Sequence, residues 1–161
     1  MKKKLVLYFS VYGTAKKTAE EIGRQADADM IEIEPAVPYD SDREHYNALA
    51  RLAKKEHDED MRPAIKNDLP VADYDTIFIG YPMWWYTFPM IIYTLFDKYD
   101  FTGKTIIPFN THMGSGDGGT YQTIRELEPG ATVLEGLPVE MTDAESGAAD
   151  AVAKWLKSLN F

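Results

Sequence analysis

Residues 4–17 read KLVLYFSVYGTAKK, and this stretch decides the fold. Its first six residues, Lys4–Phe9, form a short apolar run rich in branched and aromatic side chains, which predicts a buried strand. A helix is predicted to begin at about Thr14, because apolar residues recur from there at helical spacing. These residues are Ala15, Ala19, Ile22 and Ala26.

Strand and helix patterns alternate along the rest of the chain. Further strands are predicted at Met30–Glu34, Thr76–Gly80, Lys104–Asn110, and at a fifth position shared by Thr132–Leu134 and Leu137–Met141. Helices are predicted at Asp42–Asp60, Phe88–Tyr99, Gly118–Leu127, and from a capping box of Thr142 and Glu145 onward. Five alternations predict an α/β protein with a parallel sheet covered by helices on both faces. No linker or internal repeat interrupts the pattern, so residues 1–161 are expected to form one domain.

Some of these elements are irregular. Pro108 lies in the fourth strand, although central strands usually avoid proline, and Gly136 is predicted to split the fifth. The segment 42–60 is dense in charge, so a solvated crossover fits it as well as a surface helix does. Its predicted apolar side consists of Tyr46, Leu49, Leu52 and Ala53. The last helix is expected to bury Ala148, Val152, Trp155 and Leu159.

The composition excludes several classes of function. The chain has no cysteine, which excludes disulfides, thiolate metal sites and cysteine nucleophiles. A net charge of −9 argues against nucleic-acid binding, which requires clustered positive charge, and favours a basic protein partner. The apolar runs Lys4–Phe9 and Phe88–Phe96 are too short for a signal peptide and a bilayer span, respectively. A cytoplasmic protein without membrane contact is therefore expected.

The loop after the first strand has the features of an anion site. Ser10 and Thr14 offer hydroxyls, Gly13 permits a tight turn, and the start of a helix presents free amides. Lys16 and Lys17 occupy the first helical turn, where they oppose the helix dipole and a bound phosphate would compensate for them. A plain Thr-capped helix with solvated lysines is the alternative. The loop has neither a Walker lysine pattern nor G-x-G-x-x-G, which argues against nucleoside triphosphates and dinucleotides.

Two further loops are expected to meet the first one at the carboxyl edge of the sheet. The loop 80–86, GYPMWWY, contains the adjacent Trp84 and Trp85, which cannot both face one core. At least one of them is predicted to be exposed or to cover a flat ligand, while the other packs on the following helix. The loop Thr111–Gly119 has four glycines in six residues, typical of close backbone approach to a ligand or of a flexible surface loop. His112 in this loop is either a general acid or a simple hydrogen-bonding group.

Together these loops resemble the flavodoxin family, in its short-chain bacterial branch. The resemblance rests on Tyr8–Ser10 with Gly13, Gly80–Trp85 with Pro89, and Asp100–Lys104 leading to Pro108, Phe109 and Gly114–Gly116. It extends almost end to end. It implies a flavodoxin-like three-layer sandwich with a five-stranded parallel sheet in the order 2-1-3-4-5. It also implies FMN as cofactor, in a low-potential electron carrier or a reductase of small acceptors such as quinones.

The resemblance also implies a role for each loop. The FMN phosphate would be held by Ser10, Tyr12, Gly13, Thr14, Ala15 and Lys16. One face of the flavin ring would be covered by Pro82, Met83, Trp84 and Trp85. The ring edge and the ribityl chain would meet Thr111, His112, Gly114, Ser115 and Gly116. The acidic excess of the chain fits a low potential, because negative charge disfavours an anionic reduced flavin.

The chain departs from the family pattern at three points. The usual phosphate loop, S-x-T-G-N-T, is altered at Tyr12, Thr14 and Ala15, which removes two polar donors and predicts weaker binding. Tyr86 stands where relatives often have a small residue after the tryptophan pair. Flavodoxin electron carriers often have a glycine in this segment, whose peptide flips to hydrogen-bond the reduced flavin. The segment Pro82–Trp84 contains no glycine, so a turn with positive φ would be strained there. This predicts two-electron rather than one-electron chemistry.

Three functions remain open from the sequence. The first is an FMN-binding electron-transfer protein, monomeric or weakly dimeric, with redox protein partners. The second is an FMN-dependent NAD(P)H oxidoreductase acting on a quinone or similar small acceptor. The third is a flavin-poor binding module that keeps the fold, which the altered first loop suggests.

Overall fold

The computed structural model describes residues 3–161, so Met1 and Lys2 of the predicted domain lie outside the described residues. It contains a parallel sheet in the order β2-β1-β3-β4-β5, with a sixth strand that also pairs with β4. The strands are β1 (Lys4–Tyr8), β2 (Asp29–Glu32), β3 (Thr76–Pro82), β4 (Thr105–His112), β5 (Thr132–Val133) and β6 (Leu137–Glu140). The helices are α1 (Thr14–Ala26), α2 (Tyr46–Asp58), α3 (Met90–Lys98), α4 (Thr120–Leu127), α5 (Met141–Ala144) and α6 (Ala149–Ser158). The predicted α/β class and strand order are confirmed.

Helices cover both faces of the sheet, and each face has its own core. Leu5 and Leu7 of β1 point into a core closed by α3 and α4, whereas Val6 and Tyr8 point into a core closed by α1 and α6. This two-sided burial explains why β1 is a continuous apolar run rather than an alternating one. Within the described residues, no helix has the length and apolar character needed to cross a membrane.

The fifth strand position is split as predicted, and the split accommodates Pro108. The Ile106 carbonyl accepts a hydrogen bond from Leu134 N, so the same side of β4 carries the Pro108 nitrogen two residues later. On that side, β5 pairs only up to Val133 and β6 begins at Leu137. The absent N–H of Pro108 therefore falls where the ladder is interrupted.

The last helix differs from the prediction. The capping box at Thr142 does not begin it, because α5 stops after one turn at Ala144. The chain then passes through Gly147 and Ala148, both at positive φ, before α6 starts. A glycine with positive φ is a common way to end a helix, and here it outweighs the local cap signal. Of the four residues expected inside, Leu159 is only half-buried.

The crossover helix α2 is formed, but its inward side differs from the prediction. Leu49 and Ala53 are buried, whereas Tyr46 and Leu52 are exposed, and Glu56 takes the third inward position. The spacing 49, 53, 56 follows a single helical face. Tyr46 lies on the same face but at the first residue of α2, where it is exposed, and Leu52 lies to one side of that face.

Gly80→Ala should destabilise the fold. A β-carbon at Gly80 would overlap the ring of Phe109, which lies across the strand. We expect the free energy of unfolding to fall by about 1–3 kcal/mol, as for overpacking in a dense core, measured by denaturant titration. Gly130→Ala is the control, because its β-carbon would meet only the Thr102 side chain, at 3.2 Å. Equal stability of the two variants would contradict this account.

Candidate functional site

The three loops and α2 enclose a cavity of about 730 Å³ at the carboxyl edge of the sheet. Four of the fifteen predicted site residues do not line it: Gly13, Ala15, Lys16 and Gly116. The other eleven do. They are Ser10, Tyr12, Thr14, Pro82, Met83, Trp84, Trp85, Thr111, His112, Gly114 and Ser115.

The first loop leaves the amino terminus of α1 without a side-chain cap. Gly13, at φ 90°, is the residue before the helix, so the Thr-capped alternative is wrong. Its N–H donates to Ser10 Oγ at 3.0 Å, which closes the turn and leaves the Ser10 O–H free to donate. Within residues 3–161, the amides of Thr14, Ala15 and Lys16 donate to no protein group. The first helical turn therefore presents unused donors and the positive end of the helix dipole.

The basic residues near this helix start have different positions. Lys17 Nζ donates to the carbonyl of Glu145, the residue just after α5, at 3.1 Å. The Arg43 guanidinium lies 5.1 Å from the centre of the Tyr12 ring and brings a positive charge beside the loop, a contribution that the sequence did not reveal. Burial raises the pKa of the Tyr12 hydroxyl.

The two adjacent tryptophans in the second loop have different environments. The Trp84 ring packs edge-on against Phe9 and Tyr39, with centroids 5.4 and 5.3 Å away, and also lines the cavity. Trp85 is 46% exposed, and its Nε1 donates to the Ala50 carbonyl of α2 at 2.8 Å. One tryptophan is thus packed and the other exposed, as their adjacency predicted, but the aromatic ring contacts of the packed one are with Phe9 and Tyr39 rather than with the following helix.

A strained turn follows the tryptophan pair. Trp84 and Thr87 exchange backbone hydrogen bonds of 2.8 and 3.2 Å, and the two residues between them, Trp85 and Tyr86, have φ of 53° and 63°. Positive φ costs a bulky residue about 1–2 kcal/mol. Strain was expected at Pro82–Trp84, but it lies just after that segment.

Side chains from β3 and β4 hold the third loop in place. Asn110 is fully buried, donates to the Gly116 carbonyl at 2.9 Å, and accepts a hydrogen bond from the Tyr121 hydroxyl. Gly116 therefore contributes through its backbone and not as a wall of the cavity. Tyr81, opposite Asn110 in the sheet, hydrogen-bonds Thr120 Oγ1 at 2.7 Å. Hydrogen bonds from side chains of the sheet thus hold both ends of this stretch, Gly116 in the glycine-rich loop and Thr120 just after it.

Two polar residues of this region line the cavity. Thr111 is almost fully buried, and its hydroxyl has no hydrogen-bond partner among the described residues. His112 Nδ1 accepts from the Gly114 amide at 3.0 Å, which places the proton of the neutral ring on Nε2. This geometry fits the hydrogen-bonding alternative for His112. No group of three or more His, Asp or Glu side chains in residues 3–161 is arranged to hold a metal ion.

Sequence reasoning missed one wall of the cavity. Tyr86 and Met113 lie in the second and third loops next to predicted residues, and their large apolar side chains were the available signal. The contribution of α2 was missed because the segment 42–60 is dense in charge, which indicated a solvated surface rather than a cavity wall. The residues missed are Val11, Tyr46, Asn47, Leu49, Ala50, Ala53, Tyr86, Met113 and Met141.

A buried carboxyl anchors α2 behind this wall. Glu56 is only 6% exposed, and both of its carboxyl oxygens accept from the Tyr39 hydroxyl, at 2.8 and 3.0 Å. Burial raises the pKa of Glu56 more than the Tyr39 hydrogen bond lowers it. Because the Tyr39 ring packs on Trp84, the Tyr39–Glu56 pair connects α2 to the aromatic wall of the cavity.

The chain was compared with known proteins. The family model for flavodoxins matches residues 3–159. The chain belongs to the flavodoxin family. A crystal structure of a candidate flavoprotein from Bacteroides eggerthii DSM 20697 is 32% identical, with a TM-score of 0.83 over 100% of this chain and 99% of that one. A candidate flavoprotein from Bacteroides uniformis ATCC 8492 is also 32% identical, with a TM-score of 0.85 over 97% and 98%.

A more distant flavodoxin-like structure contains a cofactor. The flavoprotein from Lactobacillus acidophilus NCFM, solved in complex with FMN, is 24% identical and has a TM-score of 0.71 over 92% of this chain and 99% of that one. At this identity the likeness shows the shared fold. A search of curated proteins found no match.

Asn110→Ala should loosen the flavodoxin-type third loop. The change leaves the buried Tyr121 hydroxyl and the Gly116 carbonyl without a partner, which should cost about 1–3 kcal/mol of unfolding free energy. Hydrogen exchange of the amides in residues 113–119 should also become faster. Asn47→Ala, at an exposed position of α2, is the control. Unchanged exchange in the Asn110 variant would show that the loop is held by other contacts.

Glu56→Gln should change how stability depends on pH. The pKa of Glu56 is raised above its ordinary 4.5 in the folded protein, so wild-type stability falls as pH rises from 4.5 through the folded pKa. The glutamine variant lacks this loss. Its stability relative to wild type should therefore increase across that interval and then level off, measured by urea unfolding at several pH values. Glu59→Gln, which changes the same residue type at an exposed site of the same region, is the control.

Proposed function

We propose that this chain binds FMN in the cavity and acts as an electron-transfer protein. The observation that carries the proposal is an uncapped helix amino terminus opening into a cavity with aromatic walls. Such a site suits a ligand with an anion at one end and a flat ring system at the other.

The first loop fits the phosphate. The free amides of Thr14, Ala15 and Lys16 and the Ser10 hydroxyl are donors at the positive end of α1. They supply through the backbone what the altered motif no longer supplies through side chains. This supports FMN binding over the flavin-poor alternative, because the lost side-chain donors leave the main-chain cradle in place.

The other two loops fit the ring system. Trp84, held by Phe9 and Tyr39, offers a fixed aromatic wall. Thr111 lines the cavity, and its buried hydroxyl finds no partner among the protein groups in residues 3–161. When bound, FMN supplies electron transfer, and the protein controls its position, its access and its potential. His112, with its proton on Nε2, would offer a donor near the ring edge.

A flavin titration tests the proposal. FMN fluorescence should be quenched on mixing with the purified protein, because its ring would stack on aromatic side chains. Riboflavin, which lacks the phosphate, should bind at least about 100-fold more weakly, since two charge-assisted hydrogen bonds would be lost. Equal affinity for the two flavins would contradict the phosphate cradle, and no binding of either would contradict the proposed cofactor.

Thr111→Val tests the fit of the ring end. Removing a buried hydroxyl without a partner should leave the free protein equally or more stable, while FMN affinity should fall about 3- to 10-fold for one lost hydrogen bond. Thr94→Val is the matched control, since Thr94 in α3 also has a buried unpartnered hydroxyl but does not line the cavity. If both variants bind FMN like wild type, Thr111 has no part in binding.

A further inference from the structure

The hydroxyl of Tyr12 is buried and has no hydrogen-bond partner among the described residues. Tyr12 belongs to the first loop and lines the cavity, as Ser10 and Thr14 do. A buried hydroxyl that makes no hydrogen bond costs free energy, so its place in a cavity wall points to a ligand atom that accepts the bond. The tyrosine that replaces the family's threonine therefore brings a donor of its own to the altered loop.

An arginine without an anionic partner is stacked on this tyrosine. The Arg43 guanidinium lies 5.1 Å from the centre of the Tyr12 ring, and it makes no ion pair or hydrogen bond within residues 3–161. By contrast, Arg24 and Arg62 each pair with carboxylates. A guanidinium stacked on a ring keeps its N–H donors free at its edge. The contact therefore holds a cation with unused donors beside the first loop.

The carboxylates that are nearest to Arg43 in the sequence are engaged elsewhere. Asp40 accepts a hydrogen bond from the Asp42 amide at 2.9 Å and is bonded to His45 Nδ1 at 2.6 Å. Asp42 accepts from the Glu44 amide at 2.9 Å, which caps the short 3-10 helix that begins at Arg43. These contacts fix the turn that carries the guanidinium and leave the guanidinium itself for another anion.

The pKa of the Tyr12 hydroxyl shows which charged group acts most strongly on this part of the loop. Burial is the largest cause of its raised pKa, followed by the neighbouring Tyr46. Among the charged groups, Arg43 affects the pKa more than Asp40 does, and more than Asp42 does. The strongest single charge acting on the hydroxyl is therefore positive, which favours an anionic acceptor there.

The first loop needs such a cation if it is to hold a phosphate. A phosphate monoester carries nearly two negative charges at neutral pH, whereas a helix amino terminus contributes only about half a positive charge. The lysines of the first turn of α1 do not fill this gap, because Lys17 is bound to the Glu145 carbonyl and Lys16 does not line the cavity. Arg43 is stacked on a residue that does line it.

We propose that Arg43 and the Tyr12 hydroxyl form a clamp on the flavin phosphate, and that this clamp makes the site selective for a phosphate monoester over an uncharged chain end. The inference rests on the proposed FMN binding and adds two specificity-determining residues to it. The planar guanidinium can donate two parallel hydrogen bonds to phosphate oxygens, and the Tyr12 hydroxyl donates one more.

The test compares FMN with riboflavin, which differ only in the phosphate. The full chain, freed of flavin, is titrated with each flavin at neutral pH in a buffer without phosphate, and binding is followed by flavin fluorescence. Arg43→Met removes the charge but keeps an unbranched side chain that packs on the Tyr12 ring. Its affinity for FMN should fall at least about 10-fold, for one lost charge-assisted contact, while its affinity for riboflavin stays within about 2-fold of wild type.

Three further variants assign the effect. Tyr12→Phe keeps the ring under Arg43 and should weaken FMN binding about 3- to 10-fold without affecting riboflavin. Arg43→Lys restores the charge and should bind FMN more tightly than Arg43→Met does. Arg51→Met is the matched control, because Arg51 is also exposed but makes no ion pair and no contact with an aromatic ring within residues 3–161. It should bind both flavins like wild type.

The phosphorus NMR signal of bound FMN gives a second measurement that does not depend on riboflavin. The signal should shift in Arg43→Met and in Tyr12→Phe, because both variants lose a contact to the phosphate. It should stay in place in Arg51→Met. An unchanged signal in Arg43→Met would overturn the clamp.

The outcomes separate the two proposals. If FMN does not bind the wild-type protein, both fail. If FMN binds wild type and Arg43→Met binds it like Arg51→Met, only the clamp is wrong. Equal weakening of FMN and riboflavin by Arg43→Met also overturns the clamp, since it would show that Arg43 supports the loop without contacting the phosphate.

Discussion

The structure depends on the burial of both faces of the central strands β1, β3 and β4. Strands that are covered on both sides can satisfy their backbone groups only by pairing with one another, and they do so in one parallel register. Gly80 lies between Tyr8 and Phe109 in that register, and its missing side chain leaves room for the Phe109 ring. The loops that follow these strands therefore all begin at the carboxyl edge of the sheet, and the cavity forms where they meet.

This constraint explains how much of the site could be predicted from the sequence. Continuous apolar runs reveal doubly buried strands, and the rule that sites form at carboxyl edges then selects the three loops. Residues such as Ser10, Trp84 and Thr111 are found in this way because the sequence pattern places them just beyond the ends of predicted strands. Ala15 and Gly116 were predicted as site residues but do not line the cavity. The prediction failed because a sequence motif does not show whether a residue acts through its side chain or through its backbone. Ala15 offers an unused amide, and Gly116 offers a carbonyl to Asn110.

The rest of the site is set by contacts between distant segments. Helical spacing alone permits several inward faces for α2. The observed face is associated with the Tyr39–Glu56 pair and with the hydrogen bond from Trp85 to Ala50, which join residues 17 and 35 positions apart. No local preference predicts positive φ at Trp85 and Tyr86 either. That conformation is strained in isolation, and neighbouring structure must over-determine it.

The two sides of the cavity differ in how far their hydrogen-bonding groups are satisfied by the protein itself. The second and third loops are held by their own contacts: Tyr86 lies against Gly118, and Asn110 binds Gly116. The first loop keeps unused donors at the start of α1. An anion there has to overcome the net charge of −9, but charges more than about 10 Å away are screened by salt, whereas hydrogen bonds to free amides act at contact. The chain therefore favours a ligand whose negative charge is confined to one end, because the remainder of the cavity offers it only neutral and aromatic surface.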